Sequence, residues 1–96
     1  MKQIIVTFDF PGTTTKQYDK IMDDLNSMGI LGSSGLITHT CGSSSKGIFV
    51  CDIWESEEAL NRFGETLYPL LAKHKIKAPH PEIYPVHNMV TNMVHS

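Results

Sequence analysis

One stretch, residues 47–60, constrains the fold more than any other, because a strand pattern passes directly into a helix start. An apolar run ends at Trp54, and Ser56 then precedes an acidic, amphipathic segment. Serine at this place accepts a hydrogen bond from the free N–H groups of the first helical turn, and Glu57 and Glu58 lie where the helix dipole favours negative charge. The stretch therefore predicts a strand, a helix cap and a helix in direct succession.

A strand and a helix are also predicted in the first third of the chain. Residues 2–10 alternate as a strand does, and Pro11 with the glycine after it ends the run. Thr14 and Gln17 have the spacing of a capping box. Apolar residues then recur at helical spacing as far as Gly29, so the first helix is expected to end there.

The rest of the chain supplies two more strands and the body of the second helix. Residues 36–41 precede a turn rich in serine and glycine, so they are expected to form a hairpin with the strand that follows. The second helix contains Gly64 and Pro69, which predict a kink or a break into two pieces. Residues 82–89 make a last strand in which Pro85 removes one hydrogen-bond donor, and this predicts a position at the sheet edge.

The predicted order is β-α-β-β-α-β over a single domain, residues 1–96. This order indicates a ferredoxin-like α+β fold, with a four-stranded antiparallel sheet and both helices on one face. The strand that ends at Trp54 is apolar on both sides, with Ile48 and Val50 on one side and Phe49 on the other. A short chain gains stability when a partner covers such a face, so we expect a homodimer formed through sheet faces.

Composition argues against several classes of partner. The 96 residues carry a net charge of −2 with scattered Lys and Arg, which disfavours nucleic acid and anionic membrane surfaces. No window approaches the length of a membrane span and no cleavage site follows the start, so a cytoplasmic protein, complete as written, is expected. Cys41 and Cys51 lack redox and zinc-ligand spacing and are expected to be small buried hydrophobes. They could face each other across the hairpin, although a disulfide is unusual in a cytosolic chain.

The side chains best suited to proton transfer near neutral pH are five histidines: His39, His74, His80, His87 and His95. His80 and His95 are expected in a solvated loop and in the tail. His74 continues an apolar helix face, and His87 closes the last strand beside Asn88, whose amide can orient the imidazole, so these two are the predicted catalytic bases. A hydrogen-bonded structural role is the alternative for both and for His39. No pair has the spacing of a metal site, so no metal is expected.

Five aromatic side chains could wall an apolar pocket between helices and sheet: Tyr18, Trp54, Phe63, Tyr68 and Tyr84. With His39 and Asn88 as polar members, they form the predicted binding set for a small hydrophobic or aromatic molecule. The alternative is that aromatic residues at helix and strand spacing belong to the core, and Trp54 in particular is expected to be structural. Nucleotide-binding glycine motifs are missing, so no cofactor is expected.

Given this order of elements, residues 52–59, followed by Phe63, resemble the dimeric α+β barrel superfamily. That superfamily includes antibiotic-biosynthesis monooxygenases, quinol monooxygenases, haem-degrading monooxygenases and small stress-responsive proteins. The resemblance covers nearly the whole chain and implies the same fold. Residues 10–14, 17–19 and 86–88, the last with the sequence Val-His-Asn, are similar to a short branch of the superfamily.

The resemblance does not extend to haem degradation. The haem-degrading members use an Asn in the first strand, a Trp within the second long helix and a His near the end of that helix. The first strand here has Thr7 or Phe8 at that place, the helix has no Trp near Phe63, and only His74 falls near the position of the His. Haem is therefore not an expected cofactor.

Two functions follow from these patterns. The first is a cofactor-independent monooxygenase, or a cyclase or isomerase, acting on an aromatic or polyketide-like substrate, with His74 or His87 removing a phenolic or α-carbonyl proton. The alternative is a non-catalytic homodimer that binds a small ligand or serves a stress-related role, which the scarcity of acid/base pairs favours.

Overall fold

The computed structural model describes residues 2–92, so His95 lies outside the described residues. Its elements, in chain order, are β1 (Ile4–Pro11), α1 (Thr15–Met28), a short 3-10 turn (Leu31–Ser33), β2 (Leu36–Ser44), β3 (Gly47–Trp54), α2 (Glu57–Lys73) and β4 (Glu82–Pro85). The strands form one antiparallel sheet in the order β2-β3-β1-β4. The predicted ferredoxin-like α+β fold is confirmed.

Both helices start as their sequences indicate. The Thr14 hydroxyl accepts a hydrogen bond from the Gln17 backbone N–H at 3.1 Å, and the side-chain Oε1 of Gln17 accepts one from the Thr14 backbone N–H at 2.9 Å. At the start of α2, the Ser56 hydroxyl accepts from the Ala59 N–H at 3.1 Å. Gly29 ends α1 in the left-handed region, with φ of 68°. These local features fix where each helix begins and where α1 ends.

Two boundaries differ from the sequence-based expectation. Helix α2 runs without interruption through Gly64 and Pro69, so it does not divide into two pieces. Proline removes only one helical hydrogen bond, and burial of Leu70 and Leu71 directly after it holds the last turns on the core. Strand β4 ends at Pro85 instead of residue 89, although the Val86 N–H makes one more backbone hydrogen bond, to the Gln3 carbonyl oxygen at 3.0 Å. Neither helix within residues 2–92 is long and apolar enough to cross a membrane.

The two faces of the sheet have different surroundings. The face toward α1 and α2 holds the core side chains of β1 and β3: Ile4, Val6, Phe8, Ile48, Val50 and Trp54. The opposite face leaves Phe49 and Tyr84 half exposed, and β4 forms a sheet edge as predicted. Cys41 pairs with Val50 and Cys51 with Thr40, so the two thiols lie on opposite faces and both are free. The expectation that they could face each other is therefore wrong.

Candidate functional site

A cavity of about 150 Å³ lies between the helix-facing side of the sheet and the two helices. Most of its wall is apolar, with Phe8 and Ile48 from the sheet and Leu25 and Leu71 from the helices. Polar side chains are few: besides Thr13 they are Tyr18, His39 and Asp52, which meet in one hydrogen-bonded group. An apolar cavity with a small group of converging polar side chains is the usual form of a small-molecule site.

Asp52 is the buried acceptor of this polar group. Asp52 is 5% exposed, and both of its carboxylate oxygens take part in hydrogen bonds. Oδ1 lies 2.6 Å from His39 Nδ1, and Oδ2 accepts a hydrogen bond from the Trp54 indole N–H at 3.2 Å. Because a carboxylate only accepts, the His39 Nδ1–H donates to Asp52, and in a neutral imidazole this leaves Nε2 as the acceptor.

The Tyr18 hydroxyl completes the polar group. It lies 2.5 Å from His39 Nε2, and the two rings are nearly parallel, with 2° between their planes. Burial, followed by the neighbouring Cys41 and Asp52, raises the pKa of Tyr18 to about 12. Tyr18 therefore keeps its proton and donates a hydrogen bond to His39 Nε2, so a continuous hydrogen-bonded chain runs from Tyr18 through His39 to Asp52.

A bulge in β2 brings His39 to this chain. The pairing of β2 with β3 shifts register between Leu36 and Thr38, so that Leu36 lies opposite Trp54 and His39 lies opposite Asp52. Side chains alternate along a strand, and without the extra residue His39 would point to the face opposite that of Leu36. The bulge thus turns both Leu36 and His39 toward the cavity.

Two of the predicted aromatic residues form the wall beside the polar group. Trp54 is 1% exposed and lies 5.0 Å from Phe63 between ring centroids, with the planes tilted by 48°. Both rings line the cavity. The structure therefore brings together four members of the predicted binding set: Tyr18, His39, Trp54 and Phe63.

The other predicted site residues lie away from this cavity. Tyr68 is on α2 with 42% exposure, and Tyr84 lies on the opposite face of the sheet, where its hydroxyl donates to Glu82 at 2.9 Å. His87 and Asn88 follow the end of β4 and are exposed. None of these four is among the described residues that line the cavity.

His74 takes part in a separate polar cluster at the end of α2. Its Nε2 lies 2.8 Å from Asp24 Oδ2 on α1, and Lys73 Nζ lies 3.2 Å from the same oxygen. The hydrogen bonds from His74 and Lys73 hold the pKa of Asp24 below its ordinary value. This cluster joins the two helices, and His74 is not among the described residues that line the cavity.

Asp52 was not predicted from the sequence, although a signal was present. In β3, the inward positions are Ile48, Val50, Asp52 and Trp54, so the carboxylate stands in an otherwise apolar row. A charged residue at an inward strand position needs a buried partner, and that need points to a functional or structural polar group. Within residues 2–92, His, Cys, Asp and Glu side chains do not form a group of three or more that could hold a metal ion.

Comparison with known proteins gives matches in structure alone. No protein-family model matches the chain, and no curated protein matches it in sequence. A Chloroflexus aurantiacus protein with a proposed antibiotic biosynthesis monooxygenase activity superposes with a TM-score of 0.63 at 13% identity, covering 93% of this chain and 97% of that chain. The cofactor-independent oxygenase SnoaB from Streptomyces nogalater gives a TM-score of 0.61 at 8% identity, with coverage of 94% and 96%.

A third similar structure contains a ligand. The monooxygenase ActVA-Orf6 of Streptomyces coelicolor, in complex with nanaomycin D, gives a TM-score of 0.57 at 19% identity, with coverage of 95% and 91%. At such low identities the likeness concerns the fold. It confirms the resemblance stated from residues 52–59: this chain has the fold of the antibiotic biosynthesis monooxygenase-like proteins.

Proposed function

We propose that this protein binds a small aromatic molecule in the cavity and removes a proton from it, using His39 as the base. The observation that supports this most directly is the hydrogen-bonded chain of Tyr18, His39 and Asp52 in the wall of an apolar cavity. A base that is oriented by a buried carboxylate and that contacts a hydroxyl is the arrangement used to activate O–H groups. Similar structures include a cofactor-independent oxygenase and a monooxygenase with bound nanaomycin D.

The proton moves along the hydrogen-bonded chain from the substrate through Tyr18 to His39. A substrate hydroxyl in the cavity donates to the Tyr18 oxygen, while the Tyr18 proton passes to His39 Nε2 across 2.5 Å. His39 becomes an imidazolium whose Nδ1–H remains on Asp52. Tyr18 ends neutral and donates a hydrogen bond to the substrate anion. His39 is the base, Tyr18 contacts the substrate, and Asp52 positions the imidazole.

In the oxygenase form of the proposal, the electron-rich anion reacts with dioxygen as co-substrate. A phenol with a hydrogen opposite its hydroxyl consumes one O2 and yields a quinone and one water. One oxygen atom enters the ring as a carbonyl, and the other leaves as water with the hydroxyl proton and the ring hydrogen. In a cyclase or isomerase the same anion would instead react within its own carbon skeleton. Both reactions begin with the proton transfer described above.

One observation favours the alternative of a non-catalytic binding protein. The Tyr18 hydroxyl already occupies the acceptor nitrogen of His39, so the polar chain is complete without a ligand. Such a chain also satisfies the buried carboxylate of Asp52 and the half-buried side chains of Tyr18 and His39, and this structural role needs no substrate. In that case the cavity would bind the small molecule without changing it.

We also propose that the protein acts as a homodimer. The sheet face opposite the helices has Phe49 and Tyr84 each 50% exposed and Ile37 42% exposed. Large apolar side chains collected on one sheet face are typical of a surface that a second copy covers. A partner there would bury the face that α1 and α2 leave open.

Oxygen consumption with a panel of quinols and phenols tests the catalytic proposal. Wild-type protein should consume dioxygen with at least one of them, His39→Gln should lose this activity, and His80→Gln, which changes an exposed loop histidine, should keep it. Loss of activity in His74→Gln with full activity in His39→Gln would overturn the assignment of the base. Saturable ligand binding without turnover across the panel would favour the non-catalytic alternative.

A further inference from the structure

The size of the cavity limits what it can hold. Its volume is about 150 Å³, and apolar protein cavities of about this size accommodate benzene. Half of the lining side chains are buried among their neighbours; Ile48 is 2% exposed, Trp54 1% and Leu71 3%. Walls of this kind do not move apart without loss of packing. One aromatic ring therefore fits, and further fused rings would have to displace these side chains.

The charge of the cavity limits the ligand as well. Within residues 2–92 no lysine or arginine lines it, and its ionisable side chains are Tyr18, His39 and Asp52. Both carboxylate oxygens of Asp52 already accept hydrogen bonds, and the His39 Nδ1–H is directed at Asp52. A carboxylate or phosphate on the ligand would lie in an apolar cavity without a cationic partner and close to Asp52. Burial of such an unpaired charge is strongly unfavourable.

We infer that the ligand of this cavity is an uncharged molecule with a single aromatic ring and a free hydroxyl group, and that polycyclic or carboxylated aromatics are rejected. The limits on size and charge come from the cavity walls. Only the place of the hydroxyl, next to Tyr18, rests on the proposed function. The inference narrows the aromatic or polyketide-like substrate class to simple phenols and hydroquinones.

Isothermal titration calorimetry with three probes tests the inference. Para-cresol and para-hydroxybenzoate differ at one position, where a methyl group is replaced by a carboxylate, and hydroxyanthracene keeps the hydroxyl but adds two rings. Para-cresol should bind, and para-hydroxybenzoate should bind roughly tenfold more weakly or worse. Hydroxyanthracene should also bind more weakly than para-cresol. Equal or tighter binding of either the carboxylate or the tricyclic probe would overturn the inference.

A matched pair of variants on α1 places the bound probe. Met22 is half-buried and lines the cavity, whereas Met28 on the same helix is 52% exposed and does not. Met22→Phe should reduce para-cresol affinity by filling part of the cavity, and Met28→Phe should leave it unchanged. Equal affinity in both variants would show that para-cresol binds elsewhere and would overturn the inference.

Failure of this inference can be told apart from failure of the proposed function. Selective binding of para-cresol with no turnover of any phenol would support the inference on ligand class and refute the catalytic proposal. Turnover of a tricyclic phenol that is lost in His39→Gln would support the catalytic proposal and overturn the inference. The calorimetric and oxygen-consumption measurements therefore decide the two separately.

Discussion

Replacing Asp52 by asparagine should reverse the protonation of His39 at a modest cost in stability. Asparagine can direct its carbonyl oxygen at the Trp54 indole N–H and its NH2 group at His39 Nδ1, which then becomes the acceptor. The His39 proton moves to Nε2, and His39 then donates to Tyr18 where it formerly accepted. Nε2 can no longer take a proton from Tyr18, so any activity based on His39 is lost.

The magnitudes follow from the two hydrogen bonds of Asp52, at 2.6 and 3.2 Å. In Asp52→Asn both bonds remain but lose charge assistance, at about 1 kcal/mol each, so the free energy of unfolding should fall by about 2 kcal/mol. In Asp52→Ala the donors of His39 and Trp54 both lose their acceptor, at about 1–3 kcal/mol each, for a total of about 2–6 kcal/mol. The alanine variant should therefore be the less stable of the two.

Two measurements decide this prediction. Urea denaturation of the wild type and both variants gives the stability order, and NMR correlation of the His39 ring protons with the ring nitrogens shows which nitrogen carries the proton. If the proton stays on Nδ1 in Asp52→Asn, or if the asparagine and alanine variants are equally destabilised, the assigned roles of Asp52 and His39 are refuted. If Asp52 had only a structural role, a change of the His39 tautomer would not be expected to abolish activity as well.

Three further predictions concern the core, the assembly and pH. Trp54→Ala should lower the free energy of unfolding by about 3–5 kcal/mol, and an unchanged Tm with loss of aromatic probe binding would show that Trp54 serves only the cavity. Light scattering should show a dimer, and its Tm should fall on dilution. Phe49→Lys should dissociate the dimer, whereas Met28→Lys should not. A monomeric wild type would contradict the proposal. The pKa of Tyr18 is raised from 10.0 to about 12, so the folded protein keeps this proton at pH values where the unfolded chain loses it. The resulting stabilisation of the folded protein is complete below pH 10 and is lost as pH rises toward 12. Urea denaturation between pH 10 and 12 should show a smaller loss of stability in Tyr18→Phe than in the wild type.

The prediction of the site from sequence was partial for a physical reason. His74 and His87 were predicted from their places at the ends of elements, and the structure puts His74 beside Asp24 and His87 beyond the end of β4. An element end can be read from local residues, but the neighbour that a side chain meets there cannot. Asp24 and His74 are 50 positions apart, and their contact exists only because α1 and α2 pack on the same face of the sheet.

The order of the elements and most of their ends follow from the local sequence, because they depend on interactions over a few residues. Thr14 and Ser56 each cap a helix by accepting a hydrogen bond from the residue three positions later, and Gly29 ends α1 in a left-handed backbone conformation that glycine adopts readily. The tertiary structure decided which side chains meet. A one-residue bulge in β2 sets the face of His39, and pairing across β3 and packing of α1 then bring Asp52 and Tyr18 to its two nitrogens. Strand register depends on the fit of the whole sheet against the helices. Neither the bulge nor the hydrogen bonds that it allows among Tyr18, His39 and Asp52 can therefore be predicted from local sequence.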